Sequence, residues 1–137
     1  MEKESNKLCF VLNDKKLYLE TNLVYFNEIP IFFVCSDLKD CHYLVLNIDI
    51  NNLEYIIVES TKENILNMLT QKITMRDAIL SSSFFWNIKT MNDIKDDIIE
   101  FKDIEEIDYD ILPEKKAKYY IANEENIQNT VKKLLKR

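Results

Sequence analysis

Strand-sized apolar stretches separated by short polar segments occupy much of the first half of the chain. Three such stretches lie at 29–35, 42–49 and 53–60, and each is rich in the Ile, Val, Phe and Tyr residues that favour strands. The polar segments 36–40 and 51–52 separate them, and Asn and Asp there tolerate the backbone reversals of a hairpin. The pattern predicts three adjacent antiparallel strands.

Weaker strand patterns lie on either side of this core. Residues 8–12 and 16–20 flank a polar turn and predict a hairpin at an edge of the sheet. Residues 84–89 read as a further strand, and alternation would place Phe84 and Trp86 on the same face.

The hydrophobic period changes after residue 60. Ser60 with Glu63 and Thr74 with Asp77 have the spacing of a capping box, in which a hydroxyl and a carboxyl group satisfy the first N–H groups of a helix. Apolar residues follow each pair, so we expect two short helices, the first beginning near residue 61.

The C-terminal end repeats both kinds of pattern. Residues 119–121 have the composition of a last strand, and Asn123 is placed to cap a closing helix. Four apolar residues of that helix recur at positions i, i+4, i+7 and i+8 and form one stripe: Ile127, Val131, Leu134 and Leu135. The stripe packs across the sheet or, alternatively, forms a homodimer contact.

These elements predict an α+β fold in a single domain, residues 1–137, a usual length for one domain. The predicted architecture is an antiparallel sheet of about five to six strands, with two short helices after the third core strand and a C-terminal amphipathic helix.

The chain contains no glycine. Phosphate-binding loops and the nucleophile elbow of hydrolases need glycine, because their backbones adopt dihedrals that a Cβ forbids. Nucleotide enzymes of those designs are therefore excluded. Chain reversals must use Asn and Asp, and the candidates include Asn22 and residues 51–52.

Cysteine and histidine are too few and too poorly spaced for metal or thiol chemistry. Cys9, Cys35 and Cys41 include no C-x-x-C pair, and His42 is the only histidine. Adjacent residues of a strand point to opposite faces, which separates Cys41 from His42. We expect free thiols, no metal site and no cofactor.

No apolar run approaches the roughly 18 residues of a membrane span, and the first residues are polar. The sequence thus predicts a cytoplasmic protein that does not bind membranes.

Charge is concentrated in one stretch, the acidic segment, residues 91–114. It carries ten acidic and two basic side chains, a net charge of −8, whereas residues 115–137 carry a net charge of +5. An apolar residue occurs every two to four positions, which predicts a segment anchored to the core with its carboxylates in solvent. Such carboxylates form either an ordinary hydrated surface or a binding face for a basic partner.

Two other uses of these charges are weaker. Asp93, Asp96, Asp97 and Glu100 could bind calcium or magnesium through oxygen, but they lack the alternating spacing of a calcium loop. Direct nucleic-acid binding is disfavoured, since the basic side chains of the last helical turns already complement the helix dipole.

Residues 29–121 resemble a family of small bacterial and phage-associated proteins that share a domain of unknown function. The resemblance lies in the strand residues 29–35, 43–45 and 53–58, the corner 72–78, and Leu112-Pro113. It implies a compact α+β domain and brings no catalytic residue. A glycine expected between the first two core strands is replaced by residues 37–41, which puts that turn type in doubt.

The leading hypothesis is a non-enzymatic protein-interaction module, for example an inhibitor or immunity-type protein that covers a basic or nucleic-acid-binding protein surface. The predicted contact residues belong to the acidic segment: Asp96, Asp97, Glu100, Glu105, Glu106 and Asp108.

Two alternatives stay open. A carboxylate-based or magnesium-dependent enzyme would use Asp93, Asp97 and Glu100 as acid, base or metal ligands. A small-ligand regulatory module would form a pocket from the aromatic residues of the sheet: Tyr43, Tyr55, Phe84 and Trp86.

Overall fold

The structure is a computed structural model that describes residues 8–12, 15–26, 29–37, 39, 41–49, 51, 53–70, 72–91, 97–108 and 110. Within these ranges, seven strands form one antiparallel sheet whose spatial order follows the chain order. The strands are β1 (Leu8–Leu12), β2 (Lys15–Phe26), β3 (Ile29–Ser36), β4 (His42–Asp49), β5 (Glu54–Ser60), β6 (Phe84–Lys89) and β7 (Ile98–Asp103). Helices α1 (Lys62–Leu69) and α2 (Met75–Leu80) connect β5 to β6, and a 3-10 turn (Ile104–Glu106) follows β7.

The helices cover one face of the sheet, which we call the helix face. Their apolar side chains pack on every second residue of β3 to β5, as the period of two requires. The buried members of this cluster are Phe32, Val34, Leu44, Leu46, Ile56, Val58, Ile65, Met68, Leu69, Met75, Ala78, Ile79, Phe85 and Ile107.

The opposite face, which we call the inner face, has its own core. There the first hairpin packs against the central strands. The buried members of this second cluster are Phe10, Leu12, Leu17, Phe33, Cys35, Tyr43, Val45, Ile57 and Ile88.

Contacts across the inner face show that the sheet curls. The ring of Phe10 in β1 meets the ring of Tyr55 in β5 edge-on, with centroids 5.2 Å apart. The ammonium of Lys15, at the start of β2, lies 5.8 Å from the ring centroid of Trp86 in β6. Strands far apart in sheet order can meet in this way only because a twisted sheet coils on itself, and the result is a half-barrel.

Both helix starts use hydroxyl caps. Thr61 caps α1 by accepting the Asn64 N–H at 3.0 Å, one residue later than the predicted cap at Ser60. Thr74 and Asp77 form the predicted capping box of α2, with the Thr74 hydroxyl accepting the Asp77 N–H at 3.0 Å.

The predicted fold class is wrong. The described residues form a mostly β structure with seven strands and two short helices, instead of an α+β fold with five to six strands. The additional strand, β7, lies in the acidic segment, where Ile98, Ile99 and Phe101, predicted to be core anchors, lie on an extended backbone. The predicted C-terminal amphipathic helix and the predicted strand at 119–121 lie outside the described residues.

One predicted reversal is also wrong, since Asn22 lies within the long strand β2. Among the described residues, the positive backbone φ falls on Leu53, at 52°, just after the predicted reversal at 51–52. Of the described helices, neither is long and apolar enough to cross a membrane.

Candidate functional site

A surface depression lies where β4 begins and β5 ends. Its volume is about 690 Å³, and its wall continues through the start of α1, the loop before β6 and the middle of β7. We call it the aromatic cavity. Its lining residues are Cys41, His42, Glu59, Ser60, Thr61, Lys62, Ser82, Ser83, Phe84, Trp86 and Phe101.

Three aromatic rings on the inner face line one side of this cavity. Phe84 and Phe101 stack with centroids 5.1 Å apart, and the ring of Trp86 lies 5.0 Å from that of Phe101. Phe84 is 48% exposed and Phe101 is 57% exposed. Large exposed aromatic faces that adjoin one another commonly mark interaction sites, because water is a poor neighbour for them.

The sheet register brings the three rings together. Phe84 and Trp86 are two residues apart on β6 and so share a face, as predicted, while Trp86 pairs directly with Phe101 on β7. On the other side, the ring of Trp86 packs against Tyr43 with centroids 6.1 Å apart. The buried Tyr43 thus packs on one side of Trp86, and the rings of Phe84 and Phe101 lie beyond Trp86, toward solvent.

The polar wall of the cavity is held by hydrogen bonds to the β5 end and to the loop. The Ser82 hydroxyl donates to the Glu59 carbonyl at 2.6 Å, and the Ile104 N–H donates to the Ser83 carbonyl at 2.9 Å. These bonds join β5, the loop before β6 and the turn after β7. The exposed Glu59 side chain lies on the wall.

His42, at the cavity, pairs with the buried carboxylate of Glu20. Nδ1 of His42 lies 3.1 Å from Oε1 of Glu20, and both side chains are 4% exposed. This pair anchors the start of β4 to β2. His42 is therefore a structural part of the cavity wall.

The neighbouring thiol is not activated. Burial, followed by the charges of Asp37 and Glu59, raises the pKa of the Cys41 thiol above its ordinary value of 9.0. Because the thiolate is the reactive form, Cys41 is a poor nucleophile at neutral pH. Cys9, Cys35 and Cys41 are free thiols, and within the described ranges no group of three His, Cys, Asp or Glu residues could hold a metal ion.

Two predicted residues of the acidic segment, Asp97 just before β7 and Glu100 on β7, have partners that are close in the sequence. Asp97 accepts the Met91 N–H at 2.8 Å, which fixes the approach to the strand. Glu100 lies on β7, is 58% exposed in its side chain and pairs with Lys102 at 3.7 Å. Asp93 and Asp96 lie outside the described residues.

The other three predicted contact residues follow β7. Glu105 and Glu106 lie on the 3-10 turn, which Asp103 caps, and Asp108 accepts the Asp110 N–H at 2.9 Å. All three side chains are exposed. In the described part of the chain no ion pair reaches them.

Part of this acidic surface borders a second depression, a groove of about 320 Å³ on the helix-face side of β6 and β7. Glu100, Glu106 and Asp108 line it together with Lys89 and Lys102. The two lysines partly balance the carboxylates there. The acidic surface continues beyond the groove at Glu105, which is exposed and does not line it.

Two of the four residues predicted to form an aromatic pocket line the observed cavity, and the other two do not. Tyr43 is fully buried and its hydroxyl donates to Asp37 at 3.2 Å, and Tyr55 packs against Phe10. Phe84 and Trp86 do line a cavity. The sequence reasoning missed Phe101, since recognising it needed β7 and its register with β6.

Comparisons with protein-family models, with curated proteins and with solved structures find no match. The family resemblance noted from the strand residues therefore stays a prediction, and the function has to be argued from the site.

Proposed function

We propose that this chain is a non-enzymatic protein-interaction module that docks a basic partner through the acidic face, which we define as Glu100, Glu105, Glu106 and Asp108. The observation that carries the proposal is the position of these four carboxylates on β7 and the turn after it, where all four are exposed. The sheet and the 3-10 turn hold them on ordered backbone, so a partner meets a fixed pattern of charge.

Exposed carboxylates contribute to association mainly through steering. Charges of one sign on a protein surface raise the encounter rate with an oppositely charged partner, and salt screens them beyond about 8 Å at physiological ionic strength. The acidic segment has a net charge of −8, so the partner surface should be rich in Lys and Arg.

An apolar residue beside the acidic face supplies the non-ionic part of an interface. Ile98 is two residues from Glu100 on β7, so it shares that face of the strand, and it is 49% exposed. Interfaces combine an apolar core with a polar rim, and β7 presents both within six residues.

The carboxylate enzyme is less well supported. Asp97 is engaged by the backbone at Met91 and Glu100 by Lys102, and both belong to local structure instead of a shared pocket. General acid–base chemistry needs carboxylates that converge on one substrate position. Of the three carboxylates of this enzyme hypothesis, Asp93 lies outside the described residues, and Glu100 lines the groove whereas Asp97 does not.

An inhibitor or immunity-type role fits this surface best among binding functions. Carboxylates on a rigid edge can occupy the positions at which phosphates would contact a nucleic-acid-binding protein. We propose the cytoplasm as the compartment, and the three free cysteines agree with reducing surroundings.

The proposal is tested by charge reversal with a structurally matched control. Glu105 and Glu63 are both acidic residues in the first turn of a helical element, but Glu63 lies on α1 and does not belong to the acidic face. A partner is first isolated from native cytosol, and its affinity for the wild type, Glu105→Lys and Glu63→Lys is then measured by calorimetry at about 50 and about 300 mM salt, which bracket the physiological screening length.

We expect Glu105→Lys to weaken binding by about fivefold or more at low salt, since an exposed charge contact contributes roughly 0.2–1 kcal/mol and reversal adds repulsion. Salt should shrink the difference, and Glu63→Lys should bind like the wild type. Equal affinities of both variants and the wild type at low salt would contradict the proposal.

A further inference from the structure

The aromatic cavity holds three rings, and one of them already contacts a positive charge. The ammonium of Lys15 lies over Trp86, 5.8 Å from its centroid, within the range of a cation–π interaction. The faces of Phe84 and Phe101 lie beside it and are about half exposed. An aromatic face carries a negative potential, so all three rings can attract a cation.

A carboxylate lies on the wall beside these rings. Ile57 pairs with Trp86, and Glu59 is two residues further along β5, so alternation places it on the same face of the sheet as Trp86. Glu59 and Phe84 both line the cavity. The exposed Glu59 could therefore accept hydrogen bonds from a cation that lies on the rings.

We propose that the aromatic cavity receives the guanidinium group of an arginine presented by the partner. This inference rests on the proposed function, because it takes the bound protein to be basic. It adds a second contact, since Phe101 faces the cavity from the same strand on which Glu100 belongs to the acidic face.

The chemistry of the site favours a guanidinium over an ammonium. Phe84 and Phe101 stack on each other with 26° between their planes, so each ring turns one face to the other ring and keeps an outer face for a ligand. A planar guanidinium stacks on an outer ring face and presents N–H groups in its own plane to a carboxylate, whereas an ammonium cannot stack. A neutral planar group of the same shape lacks the charge that the ring faces and the carboxylate attract.

Two lysines place positive charge near the same site. Lys62 lies on the cavity wall and Lys15 lies over Trp86, and both oppose a bound cation. Asp103 pairs in register with Phe84 and adds a carboxylate at the same end of the sheet. The guanidinium is thus expected on the Phe84–Phe101 side, away from Lys15.

Trp86 is the only tryptophan, so its fluorescence reports on this cavity directly. The probes are N-acetyl-arginine amide, its neutral isostere N-acetyl-citrulline amide, and N-acetyl-lysine amide, titrated into the full chain. We expect a saturable change with the arginine probe and an affinity at least about tenfold weaker for citrulline, a difference of about 1.4 kcal/mol. The lysine probe should fall between them.

Variants locate the site. Phe101→Ala and Glu59→Gln should each weaken the arginine probe by about fivefold or more, because aromatic contact and charge pairing are lost separately. Leu8→Ala is the matched control, since Leu8 is an exposed apolar residue of a strand, β1, and lies outside the cavity lining. Circular dichroism checks that each variant stays folded.

The outcomes separate this inference from the proposed function. If the arginine and citrulline probes bind alike, or if neither changes the fluorescence, the cavity does not select a guanidinium and the inference is wrong. The docking proposal then still stands or falls on Glu105→Lys alone. If the arginine probe binds as expected but Phe101→Ala leaves partner affinity unchanged, the cavity does not serve the partner, and the inference is also overturned.

Discussion

Strands β4 and β7 belong to one sheet and have opposite environments. The first six residues of β4 are buried, and β3 and β5 pair with it on its two sides. In β7 four of the six residues are exposed and none is buried, and among the described strands it pairs with β6 alone. Both strands nevertheless pair with their neighbours through the same kind of antiparallel backbone hydrogen bonding.

The comparison separates what hydrogen bonding provides from what burial provides. A backbone ladder orders both strands, but its net contribution to stability is modest because water satisfies the same groups in the unfolded chain. Burial of apolar side chains contributes more to stability, and it is concentrated at β4 and β5. The β7 end is therefore free to carry charge and exposed rings with little loss of stability.

The largest expected effect comes from truncating a core residue beside β4. Ile57 is fully buried and pairs with Val45, so Ile57→Ala should lower the free energy of unfolding by about 2–5 kcal/mol through lost burial and a cavity. Ile98→Ala on β7, 49% exposed, should cost less than about 0.5 kcal/mol. Urea denaturation measures both, and similar costs would break the comparison.

Polar pairs should show the same contrast at a smaller scale. Glu20→Ala leaves Nδ1 of the buried His42 without this partner and should cost about 1–3 kcal/mol. Glu100→Ala removes the exposed pair with Lys102 and should cost about 0–1 kcal/mol. Urea denaturation measures the free energy of unfolding of both variants. A larger decrease for Glu100→Ala than for Glu20→Ala would contradict the expectation.

Asp37, in the hairpin between β3 and β4, should make part of the stability depend on acid. Burial raises the pKa of this carboxyl, but N–H groups of Cys41 and Lys39, the Tyr43 hydroxyl and the charge of Lys15 lower it below the ordinary 3.8 overall. A lowered folded-state pKa stabilises the protein above the ordinary value, and this contribution is lost as the pH falls toward the folded-state pKa.

We therefore expect Asp37→Asn to lower stability by up to about 1 kcal/mol near neutral pH, and to match the wild type once the pH lies below the folded-state pKa of Asp37. Asp108→Asn is the control, because Asp108 accepts one backbone N–H near the acidic face, whereas Asp37 accepts two and a hydroxyl. Chemical denaturation at several pH values measures the difference. A gap between Asp37→Asn and the wild type that stays constant with pH would argue against this role.

The smallest expected effect is a gain in stability at the turn between β4 and β5. Leu53, between β4 and β5, has a φ of 52°, and its carbonyl accepts the Thr90 hydroxyl at 2.8 Å near the end of β6. A left-handed conformation is costly for a residue with a Cβ, so Leu53→Gly should raise stability by about 0.5 kcal/mol after its greater chain entropy is counted.

Leu53→Ala keeps the Cβ and should show no gain, which isolates the effect of φ from that of the exposed side chain. Thermal denaturation of both variants provides the measurement. Equal stabilities of the glycine and alanine variants would show that this turn is not strained.

Much of the local structure follows from the sequence. The sequence predicts four strands and the capping box at Thr74 close to their observed places, because strand-sized apolar runs and capping pairs are encoded within a few residues. These strands lie near 29–35, 42–49, 53–60 and 84–89. The acidic segment is harder to interpret, since its apolar residues are few, are mixed with carboxylates and follow no strand period. For that reason the pattern does not predict β7, and the predicted fold class is wrong.

The candidate site divides in the same way. Clustered carboxylates at Glu105, Glu106 and Asp108 are visible in the sequence, and their exposure follows from their charge. The aromatic cavity depends on Glu59, Trp86 and Phe101, which come from three strands. Their proximity is set by the pairing register and by the loop anchored at Ser82, neither of which a local pattern specifies.

The sequence by itself determined the core strands near 29–35, 42–49 and 53–60, the capping box of α2 and the place where negative charge accumulates, because each of these depends on residues close together along the chain. Only the tertiary structure decided that the sheet has seven strands, that its first hairpin curls over the inner face, and that a cation already lies on Trp86. Those features arise from pairing between distant strands and from the accumulated twist of the sheet, which are properties of the whole packed chain.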